Sequence, residues 1–361
     1  MVRSRSERQH KADPTEGAYP MNLNVIGIDI GKNGCHFVGL DQSGQIVLRR
    51  RLSRIQLLRL LANMPKALIG MEACCGAHAL ARSLTALGHD ARLLPAQFVK
   101  PFLKGQKNDY RDAEAIAEAV QRPTMRFVPV KTPLQLDLQA VHRVRSGLVA
   151  RRTAVINQIR AMLFECGITV AQSVPALRRA LPEILSSPRE SLSPRLLHLI
   201  DLLLQEWKAL DRQLDQLSAE LVGLCKTLAQ CARLASVPGI GPITATALVA
   251  AIGDGHQFRC GRDLAAWLGL VPRQHSTGGR TKLLGITKRG NAYLRTLFIH
   301  GARSVMRFLI GRSSRLGRWM SELAKRAHRN VAAVALAAKQ ARLAWAILTT
   351  GQPYGSEVLA N

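Results

Sequence analysis

Aromatic side chains are scarce, at 4% of 361 residues. That argues against nucleic-acid recognition through rows of base-stacking rings. Acids are scarce too: 24 Asp and Glu stand against 51 Lys and Arg, a net charge of +27. A single-sign field of that size repels itself unless it meets a polyanion, so nucleic acid is the first partner to consider. An anionic membrane surface is the competing partner. With 47% hydrophobic residues the chain can bury a core, which excludes global disorder and fits a ribosomal or histone-like role poorly. The seven cysteines, at 35, 74, 75, 166, 225, 231 and 260, form no C-x-x-C pair and no zinc spacing. An odd count scattered through apolar stretches suits reduced, buried thiols in a cytoplasm. The first twenty residues are polar and basic, without the apolar run of a signal peptide. Leu234 to Gly253 carries no charge, but Pro238, Gly239, Gly241 and Pro242 interrupt it. No membrane partner is expected.

The pattern along the chain divides it. Residues 1–22 read as a basic flexible arm. Strand-like segments follow at Asn24–Gly31, Cys35–Leu40 and Gln45–Leu52, separated by turns. A helix over Arg54–Met64, a buried strand at Ala67–Glu72, a helix over Ala77–Leu87 and a strand at Ala91–Leu94 complete the order βββαβαβα. Such a mixture of hairpin meander and crossovers is the ribonuclease-H-like arrangement, so residues 23–130 are expected to form an α/β domain. Residues 131–232 look helical: Leu, Gln and Arg recur at helical spacing through Leu134–Phe164 and Leu196–Leu228. The Pro- and Ser-rich stretch from Ser173 to Pro194 reads as a break between them, giving a long helical hairpin or coiled-coil connector. A mainly helical domain is expected over 233–350, then a tail at 351–361. Between Val271 and Thr350 there are sixteen Lys and Arg and one acid, Glu322. That ratio points to phosphate contact rather than a merely solvated face.

Four acids stand out by position. Asp29 lies on the first strand, on the face opposite Ile26, Ile28 and Ile30 by the period of two. Glu72 ends the fourth strand, which neighbours the first in a ribonuclease-H-like sheet. Asp109 and Asp112, in Lys107-Asn-Asp-Tyr-Arg-Asp112, are three apart at the start of a helix and share one face. Singly, each has a plainer reading: a turn acid, a surface cap, an N-cap, a helix-dipole partner. Together, clustered carboxylates repel unless a cation neutralises them. Two Mg²⁺ ions, hard cations with oxygen ligands, would do so and clamp the attacking and leaving oxygens of a phosphodiester. The Gly-Ile-Asp-Ile-Gly segment also opens sugar kinases and actin-like ATPases. Those need a second nucleotide lobe with its own glycine-rich loop, which this sequence lacks.

The C-terminal part carries three further motifs. Leu234 to Gly253 resembles a helix-hairpin-helix, whose Pro-Gly-Ile-Gly turn lets backbone N–H groups at Gly239 and Gly241 approach a phosphate. Residues 264–280 place Ser276 and Thr277 in a glycine-flexible loop beside Arg273, His275, Arg280 and Lys282. A hydroxyl there could attack phosphorus while the cations stabilise developing charge, although by chemistry alone a backbone-bonded turn is the commoner use of such residues. Lys288 and Arg289, with Arg295 following, read as phosphate clamps, and Lys107 as another contact beside the acids.

Jointly these motifs resemble the DEDD transposases of the insertion-sequence-110 family, and Gln-His-Ser-Thr-Gly-Gly resembles its 1111 subgroup. The likeness covers residues about 23–350. It implies a RuvC-like domain, a coiled-coil connector and a C-terminal transposase domain, with Mg²⁺ at Asp29, Glu72, Asp109 and Asp112. It also implies a serine nucleophile forming a covalent link to DNA, at a composite site shared between protomers of a homodimer or homotetramer. Finally it implies a non-coding guide RNA (a bridge or seeker RNA) pairing with double-stranded donor and target DNA. In the family the nucleophile directly precedes Gly, a register that falls on Thr277; steric access in an in-line attack favours Ser276, one residue earlier. Both remain candidates, with Ser276 preferred. The alternatives are a metal-dependent Holliday-junction nuclease that uses water, and a non-enzymatic basic nucleic-acid-binding protein.

Overall fold

The computed structural model describes residues 23–105, 108–186 and 192–355; the basic arm, Lys107 and the last six residues of the tail lie outside them. The chain divides after Lys131 into two compact units.

In the first unit, β1 (Leu23–Ile30), β2 (Cys35–Asp41) and β3 (Ile46–Leu52) form an antiparallel meander. Helix α1 (Arg54–Ala62) starts at a capping box, in which Ser53 accepts from the Gln56 N–H and Gln56 accepts from the Ser53 N–H. Strand β4 (Leu68–Glu72) then pairs parallel to β1, α2 (Ala77–Ala86) crosses over, and β5 (Asp90–Leu94) pairs parallel to β4. The sheet order is β3-β2-β1-β4-β5, compatible with the ribonuclease-H-like expectation. After the short α3 (Ala96–Val99), helix α4 (Asp109–Val120) closes the unit.

The period of two sorts the strand residues between two cores. Ile26, Ile28, Phe37, Ile69 and Met71 pack with Leu57, Leu60 and Leu84 of α1 and α2. Val25, Val38 and Leu40 pack on the other face with Ala113, Ile116 and Val120 of α4. That second face also carries Asp29. β3 sits at the sheet edge and carries Arg49, Arg50 and Arg51, charges that discourage pairing with another edge.

Two glycines set the height of α4 above the sheet. A Cβ on Gly27 would lie 1.9 Å from the Ala113 carbonyl oxygen and 2.6 Å from the Ala117 nitrogen. On Gly70 it would meet the Val120 and Ile116 side chains at 2.9 and 3.0 Å. The helix therefore lies directly on β1 and β4, which lets its first turn reach the ends of those strands.

The second unit is mainly helical. The long helices α5 (Pro133–Glu165) and α7 (Pro194–Thr227) pack against one another. Arg145 bonds to Ser218 and Arg152 to Asp211, so seven residues forward on one helix match seven back on the other. They are antiparallel. The supposed break between them contains a helix, α6 (Val174–Ser186). Its Leu177, Leu181 and Ile184, at helical spacing, bury against Ile159, Leu163 and Trp207, and that burial outweighs Pro182 in the helix interior.

Helices α8 (Ala229–Leu234), α9 (Pro242–Ile252) and α10 (Gly261–Trp267) follow. A two-stranded sheet, β6 (Pro272–Thr277) and β7 (Arg280–Ile286), precedes α11 (Ala292–Leu309), α12 (Arg315–Arg326) and α13 (Arg329–Thr350). By length and composition α13 could cross a membrane, but Leu336, Ala337, Gln340, Ala341, Ala344 and Ile347 are buried in the core of this unit. It is a core helix here, and uncharged α9 is another.

Candidate functional site

Three of the four acids converge in the first unit. Single carboxylate oxygens of Asp29, Asp109 and Asp112 all lie within 4.8 Å of one another. Asn108 caps α4 by accepting from the Tyr110 N–H, which fixes the first turn and turns Asp109 and Asp112 to the sheet ends. Glu72, half-buried at the end of β4, stands outside that trio but feels its charge: burial raises its carboxyl above the usual carboxylate range, and Asp29 and Asp112 raise it further. Burial, then Asp29 and Glu72, also push up the neighbouring thiol of Cys74.

A residue that sequence reasoning passed over stands beside this cluster. His36 is paired directly with Asp29 across β1 and β2, with its Nδ1 3.9 Å from Asp29 Oδ2 and 3.6 Å from Asp109 Oδ2. Nδ1 is buried and makes no hydrogen bond. Three clustered carboxylates, with Glu72 close enough to feel their charge and an orphaned imidazole nitrogen beside them, fit a divalent cation in both the charge and the chemistry of the donors. The signal was available. The turn at Gly31 to Gly34, closed by the Gly31 N–H to the Gly34 carbonyl, makes Asp29 and His36 symmetric about its centre.

The hydroxyl pair lies in the second unit. Ser276 and Thr277 end an exposed β-hairpin, not the irregular loop expected from its glycines. Gly278 and Gly279 have φ of +56° and +75°, the left-handed pair of a tight two-residue hairpin turn. Opposed pairs Gln274–Leu283 and Ser276–Thr281 occupy one face; His275–Lys282 and Thr277–Arg280 occupy the other. The two hydroxyls therefore point to opposite sides. Ser276 Oγ accepts from Gln274 Nε2 at 2.6 Å and donates to Thr281 Oγ1 at 3.5 Å. Thr277 shares its face with three basic side chains. Every residue of β6 is exposed, and Leu283 is 65% exposed on β7, so this arm has no core of its own.

The other expected contacts divide between open and occupied. Gly239, at φ +89°, packs on the backbone of Gly301, and the Pro238 carbonyl accepts from Gln340 Nε2 at 2.7 Å. Its need for glycine is met by packing. Gly241 caps α9, and no atom lies within 4 Å of where its Cβ would stand. Arg273, Lys288 and Arg289 are exposed. Arg295 is partly engaged, donating from one nitrogen to the carbonyls of Leu268 and Arg289 at 3.1 and 3.0 Å. Lys288 has φ +54°, alone among described non-glycine residues in the left-handed region.

A buried network braces the two motifs. Thr246 Oγ1 donates to the Pro242 carbonyl at 2.7 Å, so it accepts from His142 Nε2 at 3.0 Å. His142 Nδ1 then accepts from the Tyr293 hydroxyl at 3.1 Å. Burial, aided by Arg145, pushes the His142 imidazole down to about 4, so it stays neutral. It ties α5 to the starts of α9 and α11, just beyond the Pro-Gly-Ile-Gly turn and the Thr287–Asn291 segment.

Residues 231–321 match a family described as "Transposase IS116/IS110/IS902 family", and residues 26–167 match a DEDD transposase family of IS110 elements, described as "Transposase". The chain is 46% identical over 330 residues to a "Probable family 20 transposase" of Pseudomonas aeruginosa, covering 91% of this chain and 98% of that one. It is 43% identical to the "Transposase for insertion sequence element IS1328" of Yersinia enterocolitica, over 91% and 98% of the two chains. Identity to the "Transposase for insertion sequence element IS1111A" of Coxiella burnetii is 41%, over 92% of each.

Proposed function

The chain belongs to the IS116/IS110/IS902 family of insertion-sequence transposases, and from that premise we propose that it breaks and rejoins DNA by transesterification at a metal site on Asp29, Glu72, Asp109 and Asp112. The observation that carries the reading is the convergence of Asp29, Asp109 and Asp112 from β1 and α4 in a chain of net charge +27. A divalent ion there, Mg²⁺ by oxygen chemistry, would act as a Lewis acid on phosphodiester oxygens. Without a cation, this acidic island would repel the DNA that the rest of the surface attracts. Two ions, as expected from the sequence, suit the four carboxylates.

The attacking group is a hydroxyl of the hairpin. Its oxygen forms a bond to phosphorus as the bond to the deoxyribose oxygen breaks, so one phosphoester replaces another and the strand can later be rejoined without an energy source. Ser276 is the preferred nucleophile: its primary hydroxyl is unhindered, and Gln274 holds it in place. Arg280, Lys282 and His275 on the opposite face, with Arg273, Lys288 and Arg289 nearby, hold phosphates. The open N-terminus of α9 at Gly241 supports a helix-hairpin-helix contact to the backbone. Ser276→Ala is expected to lower strand exchange by at least roughly 10³-fold, with Thr277→Ala within about tenfold of wild type. The reverse order would assign the attack to Thr277.

Exposed apolar side chains on the two long helices, among them Val144, Phe164 and Leu202, support association into a dimer or tetramer. A guide RNA is carried by the family resemblance, and the basic C-terminal segment suits it as well as DNA. The water-using junction nuclease is the second reading. It requires the acids but not the hairpin hydroxyls.

A further inference from the structure

We propose that His36 is a nitrogen ligand to the divalent ion on the Asp29–Asp109 side of the acidic cluster. The inference rests on the metal reading above and goes beyond it, because the four acids alone would make an all-oxygen site.

The fold brings His36 there by register. On β2, residues 36, 38 and 40 face α4; Val38 and Leu40 bury in the apolar core beneath that helix. His36 continues their row to the strand start, where a polar ring needs a polar partner. Its side chain is 12% exposed. The ring meets Tyr110 edge-on, with centroids 4.9 Å apart and planes at 76°, so its plane is set by the residue next to Asp109.

The distances decide between partners. At 3.9 Å from Asp29 Oδ2 and 3.6 Å from Asp109 Oδ2, Nδ1 is too far from either for a hydrogen bond. Two ligand atoms on one ion, each bonded at roughly 2.1 Å, stand about 3 Å apart when adjacent and about 4.2 Å apart when opposite. Both observed separations fall between those limits. A buried imidazole nitrogen with no partner carries a desolvation cost that coordination would offset. Asp109 is 56% exposed, so the cluster is open to solvent on that side.

A nitrogen donor shifts metal preference. Mg²⁺ and Mn²⁺ both suit oxygen ligands and imidazole best suits the later first-row metals, but Mn²⁺, the first member of that row, accepts a nitrogen donor more readily than Mg²⁺ does. The test loads the full-length protein with Mn²⁺ alone and records pulsed electron paramagnetic resonance, with natural and ¹⁵N-labelled histidine. A directly bound histidine nitrogen is expected, its coupling changing with the isotope and vanishing in His36→Gln. Mn²⁺ affinity in that variant should fall on the order of tenfold, and Mg²⁺ affinity far less. The isotope comparison uses unmutated protein, so a misfolded variant does not obscure it. Asp29-dependent Mn²⁺ binding without histidine coupling would overturn the role of His36 alone. Absence of Asp29-dependent binding would overturn the metal reading as well.

Discussion

Asp29→Ala is expected to abolish strand exchange while leaving nucleic-acid binding intact. The carboxylate sits where β1 ends, with Asp109 and Asp112 against it and Glu72 feeling its charge. Lewis-acid stabilisation of a phosphodiester transition state is worth several kcal/mol, so losing a central ligand should cost roughly 10³-fold or more in rate. Binding to DNA depends on the 51 Lys and Arg elsewhere in the chain, and removing one acid slightly raises the net charge. Affinity and its salt dependence should therefore hold or strengthen. Folding should hold too. The cluster crowds like charges, and relieving one should leave the metal-free melting temperature unchanged or higher. Rate, gel-shift and thermal melting together check this. A folded Asp29→Ala protein that loses nucleic-acid binding, or retains strand exchange, contradicts the assignment.

Gly27→Ala is expected to be nearly as damaging for a different reason. Its new methyl would stand 1.9 Å from the Ala113 carbonyl oxygen, a backbone atom that cannot rotate away. α4 must lift from the sheet, and overpacking of this kind costs about 1–3 kcal/mol or more. The same lift draws Asp109 and Asp112 away from Asp29. Misplacement of reacting groups by about 1 Å costs on the order of 10²-fold in rate, so activity should fall even where the protein still folds. Gly70→Ala should be milder, because its obstacles include the adaptable side chains of Val120 and Ile116. Gly147→Ala is the control: nothing lies within 4 Å of its Cβ position in α5, so stability should hold or rise. Thermal melting and strand-exchange rates measure the series. Wild-type behaviour of Gly27→Ala would mean that α4 does not lie on β1 as described.

These glycines show what the sequence could and could not convey. Alternation of Ile26, Ile28 and Ile30 told which way Asp29 faces, and the three-residue spacing of Asp109 and Asp112 told that they share a face. Both rest on periods intrinsic to the backbone. The glycine in Gly-Ile-Asp-Ile-Gly has its reason in a helix more than eighty residues away, which no local pattern reveals. His36 was missed although hairpin symmetry places it, because a lone histidine in an apolar strand carries no signal until the register is drawn. The Ser173–Pro194 stretch read as a break on its prolines and serines, yet Leu177, Leu181 and Ile184 held the helical period within it. The segment holding Ser276 and Thr277 read as a flexible loop on its glycines, yet β6 and β7 pair on either side of them. The Gly-Gly turn was its only local mark.

The measurement that bears most directly on the account is a search for a covalent protein–DNA adduct. Purified protein, with any RNA that accompanies it, would be incubated with labelled DNA carrying the joined ends of its own element, with and without Mg²⁺. Denaturing gels and peptide mass spectrometry would locate the link. The account predicts a Mg²⁺-dependent adduct on Ser276, absent in Asp29→Ala. Cleaved DNA with no adduct in any hairpin peptide would contradict it and assign the cut to water.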